Sequence, residues 1–354
     1  MSKKQSSSLS GIKEIARRAN VSIATVDRVI HNRKGVSEST KKRINDIIAD
    51  MGFQPNILAS RLASKKTNRF AVVIPRSQET DYWEAPLSGI NRAAEELKQY
   101  GIIVERFLYD LNDKREFSKM TEEVLAGRFD GVLMAPSFIS EASAFSDRCR
   151  TQNIPYVFIN SDIPDQDSLC YIGPHLYQSG YQAGHLVAFG LPAGKILIVN
   201  ISKEIDSYHH LLRKEEGFRA YFQEHGRTTD KLVKIDIRNT DESSVDADLD
   251  WIFAVHTDIN AIFVTNSRVQ SVAHYLEKKD IRDKVLIGYD FLSENIDYLK
   301  KEIIHFLICQ KPEEQGYKGI MALFQHIVTG ASVEKNQFMP IDIITKENYL
   351  FYKN

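Results

Sequence analysis

The sequence predicts two unlike parts: a small all-α helix-turn-helix headpiece, then an α/β body of two Rossmann-like parallel-sheet lobes. Three observations lead there. Residues 1–66 carry 14 Lys/Arg against 5 Asp/Glu, while the remainder carries 32 against 42, so a +9 end sits on a −10 body although the net charge is only −1. Within the basic end, apolar residues recur at helical spacing in three short blocks. From Phe70 onward, apolar runs of strand length alternate with helical patterns, the signature of parallel sheets covered on both faces.

The first block places Ile12, Ile15, Ala16 and Ala19 on one helix face. Asn20-Val21 interrupts, and Ser22 is placed to cap a second helix whose inward residues are Val26, Val29 and Ile30. A turn containing Gly35 follows, with Ser37 as the next cap and Ile44, Ile47, Ile48 and Met51 as a third inward face. Two short helices joined tightly, with a third behind, make a helix-turn-helix. With its inward residues fixed, the stretch SIATVDRVIHN (22–32) turns Ile23, Ala24, Asp27 and Arg28 outward. In such a module the start of the second helix meets base edges in the major groove. Small apolar groups there touch thymine methyls, and an arginine grips guanine O6 and N7.

Asn56 is placed to cap a short helix with Ala59, Leu62 and Ala63 on one stripe. About ten residues is too short to hold a helix alone in water, so this one is expected to form only against a partner or on DNA.

In the body the runs are FAVVIP, IIVERFLY, DGVLMAP, PYVFIN, KILIVN, AIFVTN, KVLIGYD and HFLICQ, with helical patterns such as GINRAAEELKQYG and YQAGHLVAFG between them. That length is large for one sheet, hence two lobes. Ligands of open parallel sheets sit beyond the carboxyl ends of the strands. Asn160, Asn266, Asp290 and Gln310 close four of the runs, and Tyr82 and Trp83 follow the first strand closely. Polar forks beside flat aromatic faces suit a polyhydroxylated ligand such as a sugar.

Other functional classes find little support. No Walker A loop, dinucleotide Gly-x-Gly-x-x-Gly, nucleophile elbow or His-Glu-x-x-His occurs, so no catalytic residue and no cofactor is assigned. Cys149, Cys170 and Cys309 lack metal-ligand spacing, and His209-His210 and His256 have no ligand partners at the right intervals, so no metal is expected. The histidines read as ordinary surface or core residues. No eighteen-residue apolar run and no apolar segment after the two N-terminal lysines point to a cytoplasmic protein with reduced thiols and no membrane partner.

The opening residues resemble the headpiece of the LacI/GalR transcriptional regulators: IKEIARRANVSIATVDRVIHN matches its first two helices, VSESTKKRINDIIADMGFQPN its third, and ASRLASKKT its hinge helix. The rest is similar to the type I periplasmic-binding-protein fold that those regulators carry, in its order of elements and in segments such as YIGPHLYQSGYQAG and RKEEGF. The resemblance implies a disordered 1–10, a headpiece over 11–55, a hinge helix and linker over 56–68, and a body over 69–354. The body would divide into an N-lobe (about 69–172 and 309–336) and a C-lobe (about 173–308 and 337–354).

It further implies that Ile23, Ala24 and Arg28 read bases, that Thr25 and the amides near Ser22 hold phosphates, and that Leu62 wedges into the minor groove. His31 stands where the family usually has asparagine. For the effector, Tyr82 and Trp83 match stacking aromatics, and Asn160, Arg213, Asn266, Asp290 and Gln310 match polar ligand positions. Asn160-Ser161 and Asn266-Ser267 depart from the Asp-Arg and Asn-Asp pairs common in sugar binders, and Arg213 makes a sugar acid an alternative to a neutral sugar. The expected function is a ligand-responsive repressor of sugar or sugar-acid utilisation genes, a homodimer on palindromic double-stranded operator DNA. A carbohydrate-binding receptor is the alternative, and a sugar-metabolising α/β enzyme a weaker one.

Overall fold

The computed structural model describes residues 3–30, 34–51, 61, 66–77, 81–190, 194–205, 209–226 and 231–354, with the backbone alone over 3–10. It separates into two units, Met1–Thr67 with Gln99–Gly101, and Asn68–Lys98 with Ile102–Asn354.

The first unit is built on α1 (Lys3–Ala19), α2 (Ile23–Ile30) and α3 (Glu38–Asp50). Ile15, Ala16, Ala19, Val26 and Ile44 form its buried centre, with Ile12, Val29, Ile30, Ile47, Ile48 and Met51 packed around them. These are the residues that helical spacing turned inward. Helix α1 stops because Asn20 adopts a left-handed conformation (φ 49), and the Val21 N–H returns to the Ala16 carbonyl at 3.0 Å. Ser22 and Ser37 cap the next two helices, accepting from the N–H groups of Thr25 at 3.1 Å and Thr40 at 3.3 Å.

The expected domain bounds begin with residues 1–10; the described backbone of α1 starts at Lys3. Nucleation is the costly step of helix formation, and once Ile15, Ala16 and Ala19 are locked in the core, each further upstream residue adds a hydrogen bond at little cost. The positions Asn56, Leu62 and Ala63, expected in a hinge helix, and His31 lie outside the described residues.

The second unit holds two sheets. The first is ordered β11-β5-β4-β3-β1-β2, from β1 (Asn68–Pro75), β2 (Ile102–Tyr109), β3 (Gly131–Met134), β4 (Tyr156–Ile159), β5 (Cys170–Gly173) and β11 (Asn336–Phe338), all parallel. The second is ordered β12-β10-β9-β8-β6-β7, from β6 (Lys195–Ile201), β7 (Leu232–Ile237), β8 (Ile259–Val264), β9 (Val285–Tyr289), β10 (Phe306–Cys309) and β12 (Asp342–Ile344). Only the β10–β12 pairing in that sheet is antiparallel.

Helices α4 (Glu84–Lys98), α5 (Lys114–Ala126), α6 (Ile139–Thr151) and α12 (Pro312–Phe324) accompany the first sheet. Helices α7 (Leu176–Gly190), α8 (His209–Glu224), α9 (Glu242–Val255), α10 (Val269–Lys278) and α11 (Ser293–Lys300) accompany the second. Strands such as β3 and β4 are buried at every position because both faces are covered, which is why they read as continuous apolar runs.

The chain passes between the lobes after β5, after β10, and between β11 and β12. At these crossings Gly173 closes β5, Cys309 closes β10, and β11 runs to Phe338. Hydropathy marks where a run is buried, whereas ladder pairing decides its last residue. In each lobe two helices approach until their backbones touch. A Cβ on Gly89 of α4 would lie 1.9 Å from the Glu313 carbonyl oxygen of α12, and one on Gly180 of α7 would lie 1.8 Å from the Lys214 carbonyl oxygen of α8. Gly217 of α8 faces the Tyr177 carbonyl of α7 in return. Only glycine permits such contact.

Candidate nucleic-acid face and ligand cleft

The helix-turn-helix unit presents the start of α2 to solvent. Val26 is fully buried, which leaves Ser22, Ile23, Ala24 and Arg28 exposed; Ile23 keeps 47% of its surface accessible. An exposed isoleucine beside an alanine at a helix start has no packing role here, since the inward face is already filled. The Thr25 hydroxyl lies 2.9 Å from that of Ser22, so both polar groups gather at the helix N-terminus, where backbone N–H groups favour phosphate.

In the body, strand ends from both lobes line one cavity of about 90 Å³. The N-lobe contributes Tyr82, Trp83, Ser137 and Asn160, and the C-lobe contributes Lys214, Asn266, Arg268, Asp290 and Gln310. Tyr82 and Trp83 sit in one turn of tight helix, Asp81–Trp83, with ring centroids 5.1 Å apart and planes near perpendicular.

A hydrogen-bond chain ties the polar strand ends together. Asn160 Nδ2 donates to the Tyr82 hydroxyl at 2.5 Å, and the Asn160 N–H donates to Gln315 Oε1 at 2.9 Å. Gln315 Nε2 donates to the Gln310 carbonyl at 2.8 Å, and Gln310 Nε2 to Asp290 Oδ1 at 2.9 Å. Gln310 Oε1 is buried without a partner. A buried acceptor costs about 1–3 kcal/mol when unmatched, and Gln310 is one of the residues lining the cavity. Asn160 (φ 69) and Asp290 (φ 74) both take left-handed backbone at the strand ends, strain of the kind that collects at ligand sites. Asn266 is held by its own side chain, Nδ2 donating to the Ile201 carbonyl at 2.7 Å and Oδ1 accepting from the Arg268 N–H at 3.2 Å.

Burial dominates the electrostatics. It pushes the Asp290 carboxyl up to about 6, against the opposing pull of Lys214 and the Gln310 hydrogen bond. It brings the Lys214 ammonium down to about 8, partly opposed by Asp290, and the Arg268 guanidinium down to about 10. Lys214 Nζ donates to the Thr265 carbonyl at 3.3 Å and lies 3.6 Å from the centre of the Tyr289 ring. His210, also on the cavity wall, is held down to about 3 by burial and by the neighbouring Lys214 charge, so its imidazole is neutral.

The cavity gathers Tyr82, Trp83, Asn160, Asn266, Asp290 and Gln310, but not Arg213. The guanidinium of Arg213 is ion-paired with Glu216 and lies 5.4 Å over the Tyr177 ring, lining a separate concavity with Tyr171, His175 and Phe338. The residue in the cleft is its neighbour. One position along α8 rotates a side chain by about 100°, and Lys214 falls on the buried stripe with Leu211, Phe218 and Tyr221 while Arg213 does not. Sequence reasoning also passed over Arg268, and read His210 as an ordinary surface or core histidine. The signal for Lys214 was present: a lysine at i+3 from Leu211 and i−4 from Phe218, inside an apolar stripe. Arg268 lies in a loop just past β8, where no periodicity marks it.

Two families match. Residues 11–56 match the bacterial regulatory proteins of the lacI family, and residues 70–331 match a periplasmic binding protein domain. Catabolite control protein A of Streptococcus mutans is 30% identical over 188 residues, 50% of this chain, and the match spans 55% of that relative's length. A crystal structure from Bacteroides fragilis, assigned to the LacI transcriptional regulators, is 30% identical and superposes with a TM-score of 0.74 over 81% of this chain and 100% of its own. A glucose-galactose binding protein from Geobacillus stearothermophilus is 25% identical, with a TM-score of 0.71 over 80% of this chain and 99% of its own. These relatives are regulators and binding proteins, not enzymes. With the matching helix-turn-helix unit and the two-lobed body, the chain belongs to the LacI family of bacterial regulatory proteins.

Proposed function

We propose that this chain is a transcription regulator that binds a specific double-stranded DNA site through α2 and changes its DNA affinity when a small ligand occupies the cleft. The exposed Ile23, Ala24 and Arg28, beside a helix core already complete without them, carry the DNA half of this reading. The hydrogen-bonded strand ends around Asp290 and Gln310, with the unmatched Gln310 acceptor, support the ligand half. Aromatic faces at Tyr82 and Trp83 beside such polar forks suit a sugar-like effector. The ligand would act by binding one arrangement of the lobes better than another, so that its differential affinity shifts DNA binding. Two copies would place two headpieces on a palindromic site, acting as a repressor in the cytoplasm.

Arg28 supplies the test of the DNA half. Replacing it with alanine should cost about 1–3 kcal/mol of discrimination at one base pair of each half-site, with other positions unchanged. Base preference measured across all positions of a bound duplex by competition reads this directly. An Arg28→Ala protein whose preferences match the wild type at every position would remove Arg28 from base reading.

A further inference from the structure

Lys311 joins the two lobes in a conformation that lysine rarely takes. It stands between β10 of the C-lobe and α12 of the N-lobe, at the second of the three crossings. Its backbone is left-handed (φ 52, ψ 57), and Pro312 follows it. A Cβ disfavours that region, and a proline pushes the residue before it toward extended backbone. Such strain persists only where the surroundings over-determine it. Here they gather on the Lys311 side chain. Its Nζ donates to the Lys353 carbonyl at 2.5 Å, lies 3.9 Å from the centre of the Tyr352 ring and pairs with Asp342 at 3.5 Å. Asp342 opens β12, just past the third crossing, so the ion pair ties two crossings together. Tyr352 is seated in turn on the C-lobe, its ring 4.8 Å from that of Phe291, and Tyr349 packs on the same core. Gln310, which lines the cleft and donates to Asp290, immediately precedes Lys311.

We propose that Lys311 is a strained hinge between the lobes and that the segment 349–353 is a strap that latches it. Hinges are a few element-terminal residues that absorb a large backbone change. Leaving the left-handed region at Lys311 would redirect α12 relative to β10, and the strap prevents this by holding the side chain. The latch thereby biases which arrangement of the lobes a ligand meets, whatever that ligand is.

The full chain tests this with nitroxide labels on Glu123→Cys in α5 and Ala247→Cys in α9, both exposed, while the native cysteines are buried. Labelled chain is diluted in unlabelled chain, so that each distance lies within one protomer, and double electron–electron resonance reads the span between the lobes. The otherwise unaltered chain should give one narrow distance. Lys311→Met and Tyr352→Ala should each lengthen or broaden it by about 2 Å or more, the scale of a hinge rearrangement. The double variant should match the single ones, because both remove the same latch. Lys346→Met, which breaks the nearby ion pair with Glu302, should leave the distance unchanged. Circular dichroism checks folding, and Lys311→Met, which keeps the aliphatic stem, carries the test alone if Tyr352→Ala does not fold. A distance as narrow as before in Lys311→Met overturns the hinge. Broadening by only one of two folded single variants, or a double variant broader than either, overturns the latch.

Discussion

Replacing Gly180 with alanine should destabilise the body by about 3 kcal/mol or more, the upper end for overpacked cores. Ordinary overpacking is relieved by a rotamer change. Here the new methyl carbon would stand 1.8 Å from the Lys214 carbonyl oxygen, a backbone atom held in α8, and rotation of a side chain does not move it. Helices α7 and α8 would have to separate, and with them the buried layer in which Ala183, Val187, Phe218 and Phe263 pack. Phe218 and Phe263 stack with centroids 4.4 Å apart, so even a small separation opens a gap between rings. The change would also displace Lys214 from the cleft, linking stability to ligand binding. Gly217→Ala should act alike, because its Cβ would meet the Tyr177 carbonyl oxygen at 1.9 Å. Gly190→Ala, where nothing among the described residues lies within 4 Å, serves as the control and should stay within about 0.5 kcal/mol of wild type. Urea unfolding of the three variants separates these outcomes. A Gly180→Ala midpoint equal to wild type would mean that α7 and α8 do not touch.

Lys214→Met should make the protein more stable in the absence of ligand. Lys214 is only 3% exposed, and its folded-state value of about 8 lies below the ordinary 10.5. For a base lowered in this way, the folded state loses stability as pH falls from 10.5 through 8, and the full penalty is present below that. The gap corresponds to roughly 3 kcal/mol. Asp290 modulates the gain. Its value is raised to about 6, so its own penalty appears as pH rises from the ordinary 3.8 through 6, and removing Lys214 deepens that penalty by taking away an attraction. Below about pH 6 the carboxyl takes up a proton and the variant should show most of its gain; above it, the gain should shrink. Methionine fills a similar volume and keeps a favourable contact with the Tyr289 ring. Denaturant titrations on either side of pH 6 read the effect. A variant less stable than wild type below pH 6 would show that the Tyr289 and Thr265 contacts outweigh the cost of burying the charge. Stability gained by deleting a group is expected where that group serves binding.

Much of this architecture was legible in the sequence because periodicity reports burial. Ile15, Ala16, Ala19, Val26 and Ile44 declared the headpiece core by spacing alone, and every apolar run named in the body is a strand. Short or half-exposed strands were not legible. In β7 the order Leu-Val-Lys-Ile-Asp-Ile leaves one face in solvent, and β11 and β12 hold three residues each. The antiparallel β12 has no sequence mark, since direction depends on where the chain returns. In the cleft, the strand-end rule located Asn160, Asn266, Asp290 and Gln310, because side chains just past a parallel strand point to a common edge. Arg213 came from the resemblance alone, which does not ask which of two adjacent charged residues lies on the buried stripe; the structure places Lys214, not Arg213, on the cavity wall. Helical register separates Arg213 from Lys214, and that single step changes the charge assigned to the cleft.

The central claim is that the exposed start of α2 selects DNA sequence. The most direct measurement is selection of bound duplexes from a random double-stranded pool by the full chain, followed by competition against bulk DNA at several salt concentrations. A regulator of this kind should enrich one palindromic sequence, bind it about a thousandfold or more above bulk DNA, and lose affinity steeply as salt rises because Lys and Arg neutralise phosphates. Recovery of the pool without enrichment, with every sequence bound equally at each salt, would contradict the account.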